Sequence, residues 1–147
     1  MDLTVELDAP YPPEVVFPWV AELDRYPSWL DIVPRAVPDR EASSPSWQVD
    51  LRGRLGPLAR RKRLRMVRTE LDVPRRVRFE RAELDGRQHA AWVLDASVAP
   101  TGEGCRLTMA LHYAGTLFAP VLERLLADEV DRSRRRLLDL LASTPHP

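Results

Sequence analysis

Polar and apolar residues alternate almost from the first residue. Leu3, Val5 and Leu7 fall on one side and Asp2, Thr4, Glu6 and Asp8 on the other, which predicts a strand with one buried face. Ala9-Pro10-Tyr11-Pro12-Pro13 ends it, because proline cannot extend a ladder. Pro13 suits the first turn of a helix, and Val15, Val16, Trp19, Val20 and Leu23 then recur at helical spacing. Pro18 sits inside that run and is expected to kink it or split it in two. Asp24-Arg25-Tyr26-Pro27 interrupts the pattern, and Pro27 to Ile32 reads as one more short helix. From residue 33 to 113 the period is two, with strands predicted near 34–42, 46–55, 59–70, 75–84, 88–99 and 104–113. Turns are expected at Ser43-Ser44-Pro45, Gly56-Pro57, Asp72-Val73-Pro74, Asp85-Gly86 and 101–104. Residues 117–142 are a long amphipathic helix with Phe118, Leu122, Leu125, Leu126, Val130, Leu137 and Leu141 as its stripe. Asp128 with Arg132, and Asp131 with Arg135, are spaced to pair on its exposed side.

Side-chain parity must agree across each hairpin, because paired residues share a face. A two-residue loop at Asp85-Gly86 sets Phe79 opposite Trp92 and Val77 opposite Leu94. Carrying that parity outward puts Leu111, Met109, Met66, Leu64, Leu51, Val49 and Trp47 on the same buried face. The expected cross-strand rows are Trp47, Arg68, Phe79, Trp92, Leu111 and, beside it, Val49, Met66, Arg81, Ala90, Tyr113. The opposite face carries Arg52, Arg54, Arg61, Arg63, Arg65, Arg76, Arg78 and Glu80.

Length and composition narrow the class. With 147 residues the chain is expected to form one domain, its tail at 143–147 frayed. A content of 44% hydrophobic and 30% charged residues excludes collagen-like and wholly disordered chains. The single cysteine, Cys105, rules out an intrachain disulfide and reads as a small core residue. The opening residues lack the basic and apolar regions of a signal peptide, and no apolar run is long enough for a membrane span, so a cytoplasmic location is expected. The net charge of zero conceals a block at 52–81 with 12 basic and 3 acidic residues. Since its arginines alternate with apolar residues, the block reads as the solvated side of a one-sided sheet rather than as a nucleic-acid surface.

Two arginines break that alternation. Arg68 and Arg81 fall on the inner face, and a buried arginine must be paired or face water. Either they bind an anionic group in a concave cavity beside Trp47, Met66, Phe79, Trp92 and Tyr113, or they pair with Glu70 and Glu83 at the sheet rim. Trp29 lies in a segment that would border such a cavity. His89 and His112 are expected on the outer face, diagonal to each other, without further ligands at metal spacing. No glycine-rich nucleotide loop, nucleophile elbow or paired-cysteine motif occurs, so neither a metal nor a cofactor is expected.

Several stretches carry a family likeness. Val5-Glu6-Leu7-Asp8-Ala9-Pro10, then Pro13-Glu14-Val15-Val16-Phe17-Pro18-Trp19-Val20, then Asp24-Arg25-Tyr26-Pro27-Ser28-Trp29 resemble the opening of the START-like SRPBCC superfamily. The closest likeness is to its polyketide cyclase/dehydrase and lipid transport group. Gly102-Glu103-Gly104-Cys105-Arg106-Leu107-Thr108, followed by Tyr113 and the long helix, is similar to the family's later strand. Pro18 departs from the unbroken helix of the family. The resemblance implies an α+β helix-grip fold, an antiparallel sheet of six to seven strands wrapped around the C-terminal helix, with an apolar cavity between them. It carries no catalytic residue across, since these vary between branches.

Three functions compete. The first is binding of a small hydrophobic molecule, such as a lipid, polyketide or aromatic compound, in that cavity. The second is a polyketide cyclase or aromatase acting in the same place, for which Arg68, Arg81, Tyr113 and Glu83 would have to serve. The third is a protein- or ribosome-interaction module using the basic outer face. Binding needs only a cavity and an anchor, and is the reading preferred on sequence.

Overall fold

The alternating segments pair as one antiparallel sheet. The computed structural model describes the backbone of residues 1–55, 58–115 and 119–144, and the side chains of these except 53–55, 58–61, 119–128 and 130. The strands are β1 (Asp2–Ala9), β2 (Arg35–Pro38), β3 (Ser46–Leu55), β4 (Leu58–Asp72), β5 (Arg76–Arg81), β6 (Trp92–Thr101) and β7 (Gly104–Tyr113). Their spatial order is β1-β7-β6-β5-β4-β3-β2, so the first strand closes onto the last. Two short helices, α1 (Pro13–Val16) and α2 (Pro18–Ala21), follow β1, and α3 (Ala119–Ser143) ends the chain. The break between α1 and α2 falls at Phe17-Pro18, where proline interrupts the hydrogen-bond ladder. The short helix expected at 27–32 is instead a 3₁₀ segment at Leu23–Ser28.

Parity agrees with the alternation across the strand pairs, while the register differs by two residues at several hairpins. Trp47 faces Met66 rather than Arg68, Phe79 faces Leu94 rather than Trp92, and Trp92 faces Tyr113 rather than Leu111. The β4–β5 pairing has the expected register from Met66 on Arg81 to Arg68 on Phe79, and past a bulge between Arg68 and Glu70 it slips by one residue, so that Leu71 faces Val77. Asp85-Gly86 does not form a two-residue hairpin. It lies inside the connection from β5 to β6, where the Asp85 carboxylate accepts the Arg87 N–H at 3.0 Å and Gly86 takes a φ of 73°. The loop from β6 to β7 is tighter than expected, with Thr101 paired to Gly104. Shifts by two keep every side chain on its face, so the inner surface is as expected up to the β4 bulge, beyond which Leu71 takes the place expected of Glu70 opposite Val77.

That inner surface is the core. Tyr26, Phe79, Val77 and Leu64 are buried together with Leu137 and Leu141 of α3. Rings pack edge to face, Phe79 lying 5.5 Å from Trp47 and 6.5 Å from Tyr26 between centroids. Each such side chain contributes about 1.5–3 kcal/mol by leaving water. Burial pushes the Tyr26 phenol far above its ordinary range, and its hydroxyl donates to the Val20 carbonyl at 3.0 Å. Gly104 starts β7 against the end of β1, where an added Cβ would overlap the Ala9 carbonyl oxygen and the Tyr11 nitrogen.

On the outer face the arginines meet acids across the strands. Arg63 Nε donates to Asp50 at 2.8 Å, Arg76 Nε to Asp95 at 3.0 Å, and Arg78 Nη1 to the other oxygen of Asp95 at 3.1 Å. This is the solvated, cross-paired face expected of the basic block. His89 departs from its expected place on that face. It lies in the β5–β6 connection and bonds Asp85 at 2.8 Å, while His112 pairs separately with Asp2 at 2.7 Å. The Gly56-Pro57 turn, Phe118 and residues 145–147 of the tail lie outside the described residues, as do the side chains of Arg54, Arg61, Leu122, Leu125, Leu126, Asp128 and Val130.

Candidate functional site

The inner face is not filled evenly. Toward β1, the residues Leu3, Val5, Leu7, Leu94, Met109 and Leu111 are only half-buried although they point to the helix side. With Leu107, Trp29, Leu30 and Leu137 they line a half-open cavity of about 120 Å³ between the sheet and the second half of α3. Its walls come from three places in the sequence. The alternation of β1, β6 and β7 supplies aliphatic side chains on one side. The 3₁₀ segment delivers Trp29, whose ring is held by its Nε1–H donating to the Trp19 carbonyl at 3.2 Å and by the Tyr26 ring at 4.9 Å. An ion pair between Arg136 of α3 and Asp31 ties the loop after Trp29 to the helix.

Two polar residues of α3, Ser133 and Arg134, border this cavity with apolar atoms, while one polar atom of each is buried away from it without a partner among the described residues. Ser133 is 6% exposed, and its Oγ has no partner. Arg134 also lines the cavity, and its Nε is buried without an acceptor. The Arg134 guanidinium has one acidic neighbour, Asp131 at 3.5 Å, which is itself 85% exposed. A buried hydroxyl or N–H without a partner costs about 1–3 kcal/mol.

The residues singled out from the sequence fall into three groups. Trp29 lines the cavity. Trp47, Met66 and Phe79 are packed into the core, Trp47 donating from Nε1 to Asp24 at 2.8 Å. The third group, Trp92 and Tyr113, lies in the cross-strand row next to the cavity-lining pair Leu94 and Leu111. There the Trp92 and Tyr113 rings are 4.5 Å apart, and the Lys62 ammonium sits 5.8 Å from each. Burial, with the neighbouring Arg81 adding to it, lowers the Lys62 pKa, and Glu83 opposes the shift.

Both inner-face arginines have protein partners. Arg68 Nη1 donates to the Ala21 carbonyl at the end of α2, 3.0 Å away, with its guanidinium 5.6 Å from the Trp47 ring centre. It does not reach Glu70, which pairs instead with Arg76 at 3.1 Å. The Arg81 side chain is only 8% exposed, and its Nε donates to Glu83 at 3.0 Å, with further contacts to the Ala90 carbonyl and to His89 Nδ1. Glu83 also accepts the backbone N–H of Arg65 at 2.9 Å, so one carboxylate stitches β4 to the end of β5.

Ser133, Arg134 and the half-buried β1–β7 leucines were not among the residues picked from the sequence. Ser133 did leave a signal. It stands four residues before Leu137 and eight before Leu141, so it is a polar residue on the apolar stripe of the helix. Cys105 is a packing residue, and burial, with Asp8 and Glu14 adding to it, pushes its thiol pKa up. Among the described residues no three His, Cys, Asp or Glu side chains converge to hold a metal. Among them, too, no helix is long and apolar enough to cross a membrane.

A seven-stranded antiparallel sheet with a long C-terminal helix is the helix-grip arrangement. The profile of the polyketide cyclase/dehydrase and lipid transport family matches residues 1–144, and the chain belongs to that family, within the START-like SRPBCC superfamily. Solved structures agree on the fold. TTHA0849 from Thermus thermophilus is 22% identical, with a TM-score of 0.74 over 98% of this chain and 100% of that one. The AHSA1 protein (SPO3351) from Silicibacter pomeroyi is 20% identical, with a TM-score of 0.64 over 97% and 98%. The di-domain ARO/CYC StfQ from the steffimycin biosynthetic pathway is 17% identical, with a TM-score of 0.68 over 96% of this chain and 50% of that one. Comparison with curated proteins found no significant sequence match.

Proposed function

We propose that the protein binds a small hydrophobic molecule in the cavity between β1, β6, β7 and the second half of α3. The observation that carries this reading is the run of half-buried aliphatic side chains around an apolar space, Leu3, Val5, Leu94, Met109 and Leu111 among them. Folded chains fill such a space with their own side chains unless something else is to occupy it. An apolar cavity of about 150 Å³ is enough to bind benzene, so about 120 Å³ suits one aromatic ring or a short aliphatic chain. Binding is preferred to catalysis because the described lining offers Ser133, Arg134 and Glu6 as its polar residues, with no histidine or cysteine to partner a serine nucleophile. The ion-paired arginines of the outer face weigh against a nucleic-acid or partner surface there.

Methionine methyl NMR provides the test. Met109 lines the cavity and Met66 lies in the core, so one labelled protein carries both a reporter and a control. Titration with toluene should shift the Met109 methyl in a saturable way and leave Met66 in place. The Leu94→Phe variant, which fills part of the space, should weaken the effect severalfold. Equal shifts at both methyls, or none, would refute the reading.

A further inference from the structure

β1 ends the sheet, and β7 is its only strand neighbour. Met1 and Tyr113 exchange both backbone bonds, at 2.8 and 2.9 Å. Bonded and non-bonded residues alternate along an antiparallel pair, so Leu3, Val5 and Leu7 are the next to bond β7. The N–H and C=O groups of Asp2, Thr4, Glu6 and Asp8 therefore point off the edge, and among the described residues none of them bonds another segment. We infer that this edge binds an extended peptide as an eighth strand, and that the peptide alternates lysine or arginine with apolar residues. The cavity need not be filled for this to hold.

An open strand edge invites pairing, and folded chains shorten it, cover it or charge it. The opposite edge of the sheet is shortened: β2 has four residues and ends on Pro38. β1 runs for eight residues without a proline. Each outward-pointing residue offers a donor and an acceptor, which is what a bound strand needs for its main-chain bonds.

The side chains of β1 decide which strand fits. Asp2, Glu6 and Asp8 stand on the outer face, and Asp2 is 80% and Asp8 68% exposed although each has a basic neighbour on β7. A second copy pairing antiparallel about Val5 would set Asp2 against Asp8 at both ends, and like charges directly opposite are destabilising. The acidic edge thus turns away another β1 and suits cationic side chains. Leu3, Val5 and Leu7 point to the inner face, are half-buried and line the half-open cavity. Residues opposite them on a bound strand share that face, so apolar side chains there would cover what β1 leaves exposed.

The probe is the peptide Lys-Val-Lys-Leu-Lys-Val-Lys with blocked termini, and its counterpart with glutamate for lysine is the control. Amide hydrogen exchange of the protein is read by NMR. At about 90% occupancy by the lysine peptide, exchange at Thr4, Glu6 and Asp8 should slow about tenfold, since only the free edge exchanges. The amides of Leu3, Val5 and Leu7, already bonded to β7, should change little. Thr4→Pro removes an outward N–H and no bond to β7, and proline is tolerated on an edge strand. It should weaken the lysine peptide about tenfold or more. Glu6→Lys should weaken the same peptide about three- to tenfold and strengthen the glutamate peptide by a similar factor. Circular dichroism verifies that each variant is folded, and Glu6→Lys decides alone if Thr4→Pro is not. No protection of the outward amides, equal affinity for the two peptides, or binding indifferent to a folded variant would overturn the proposal. Protection that rises with protein concentration in the absence of peptide would overturn it as well, and would assign the edge to a second copy.

Discussion

Ser133→Ala should make the unliganded protein more stable. The hydroxyl is buried and has no hydrogen-bond partner, so folding removes its hydration without replacing it. That loss is worth about 1–3 kcal/mol. Alanine also has the higher helix propensity, by about 0.5 kcal/mol. No cavity opens, because only one oxygen is removed, and the neighbours Leu137 and Leu141 stay buried on the same stripe. The expected gain is therefore about 1.5–3.5 kcal/mol, a rise in Tm of about 3–10 °C for a domain of this size. Urea unfolding is the assay, since an unchanged m-value with a raised midpoint isolates stability from denatured-state effects. A gain no larger than the propensity difference, or a loss, would refute the reasoning: the hydroxyl would then be bonded in the folded protein and would not be an open donor.

Two other substitutions probe the frame around the site. Gly104→Ala should cost about 3 kcal/mol, because the new methyl meets backbone atoms of Ala9, Pro10 and Tyr11 that cannot rotate away; a change under about 1 kcal/mol by urea unfolding would mean that β1 and β7 separate easily. Glu83→Gln should cost about 3 kcal/mol by leaving the nearly buried Arg81 without its carboxylate, and the Lys62 pKa, already lowered by burial and Arg81, should fall further once the opposing Glu83 charge is gone. The pKa is read by lysine side-chain NMR, and a rise instead of a fall would refute the placement. For a lysine whose folded pKa lies below its unfolded value, the penalty is full below the folded pKa. It disappears as pH rises toward the unfolded value of about 10.4, so Glu83→Gln should recover part of its lost stability in alkaline buffer.

The family and its cavity give the arginines a different weight from the one they carried as sequence positions. Arg68 and Arg81 both lie on the helix side of the sheet, but each is held by the protein itself, one by the carbonyl at the end of α2 and one by Glu83. Their guanidinium groups brace the short helices and the long β5–β6 connection against the sheet. Among the described residues, the buried atoms without partners on α3 include Ser133 Oγ and Arg134 Nε.

Everything that depends on period was legible along the chain. Alternation at two residues assigned each strand a face, and that assignment survives a two-residue slip because the slip is even. The bounds of β3 and β7 match their predicted spans, Pro18 splits its helix, and the basic block meets acids across the outer face. Tertiary contacts settled whatever depends on distance between segments far apart in the chain. Register is one case: Asp85-Gly86 looks like a hairpin turn locally, yet the carboxylates of Asp85 and Glu83 bind groups in the connection and in β4, and pairing resumes only at Trp92. The partners of the inner arginines are another, since Ala21 is 47 residues from Arg68. The cavity is the third. Its walls come from β1, Trp29, β6, β7 and α3, and no local pattern records that the leucines of β1 stop short of the helix. Trp29 was the residue that the chain marked as bordering the cavity and that the structure places in its lining, because the segment after α2 is local even when the space it borders is not.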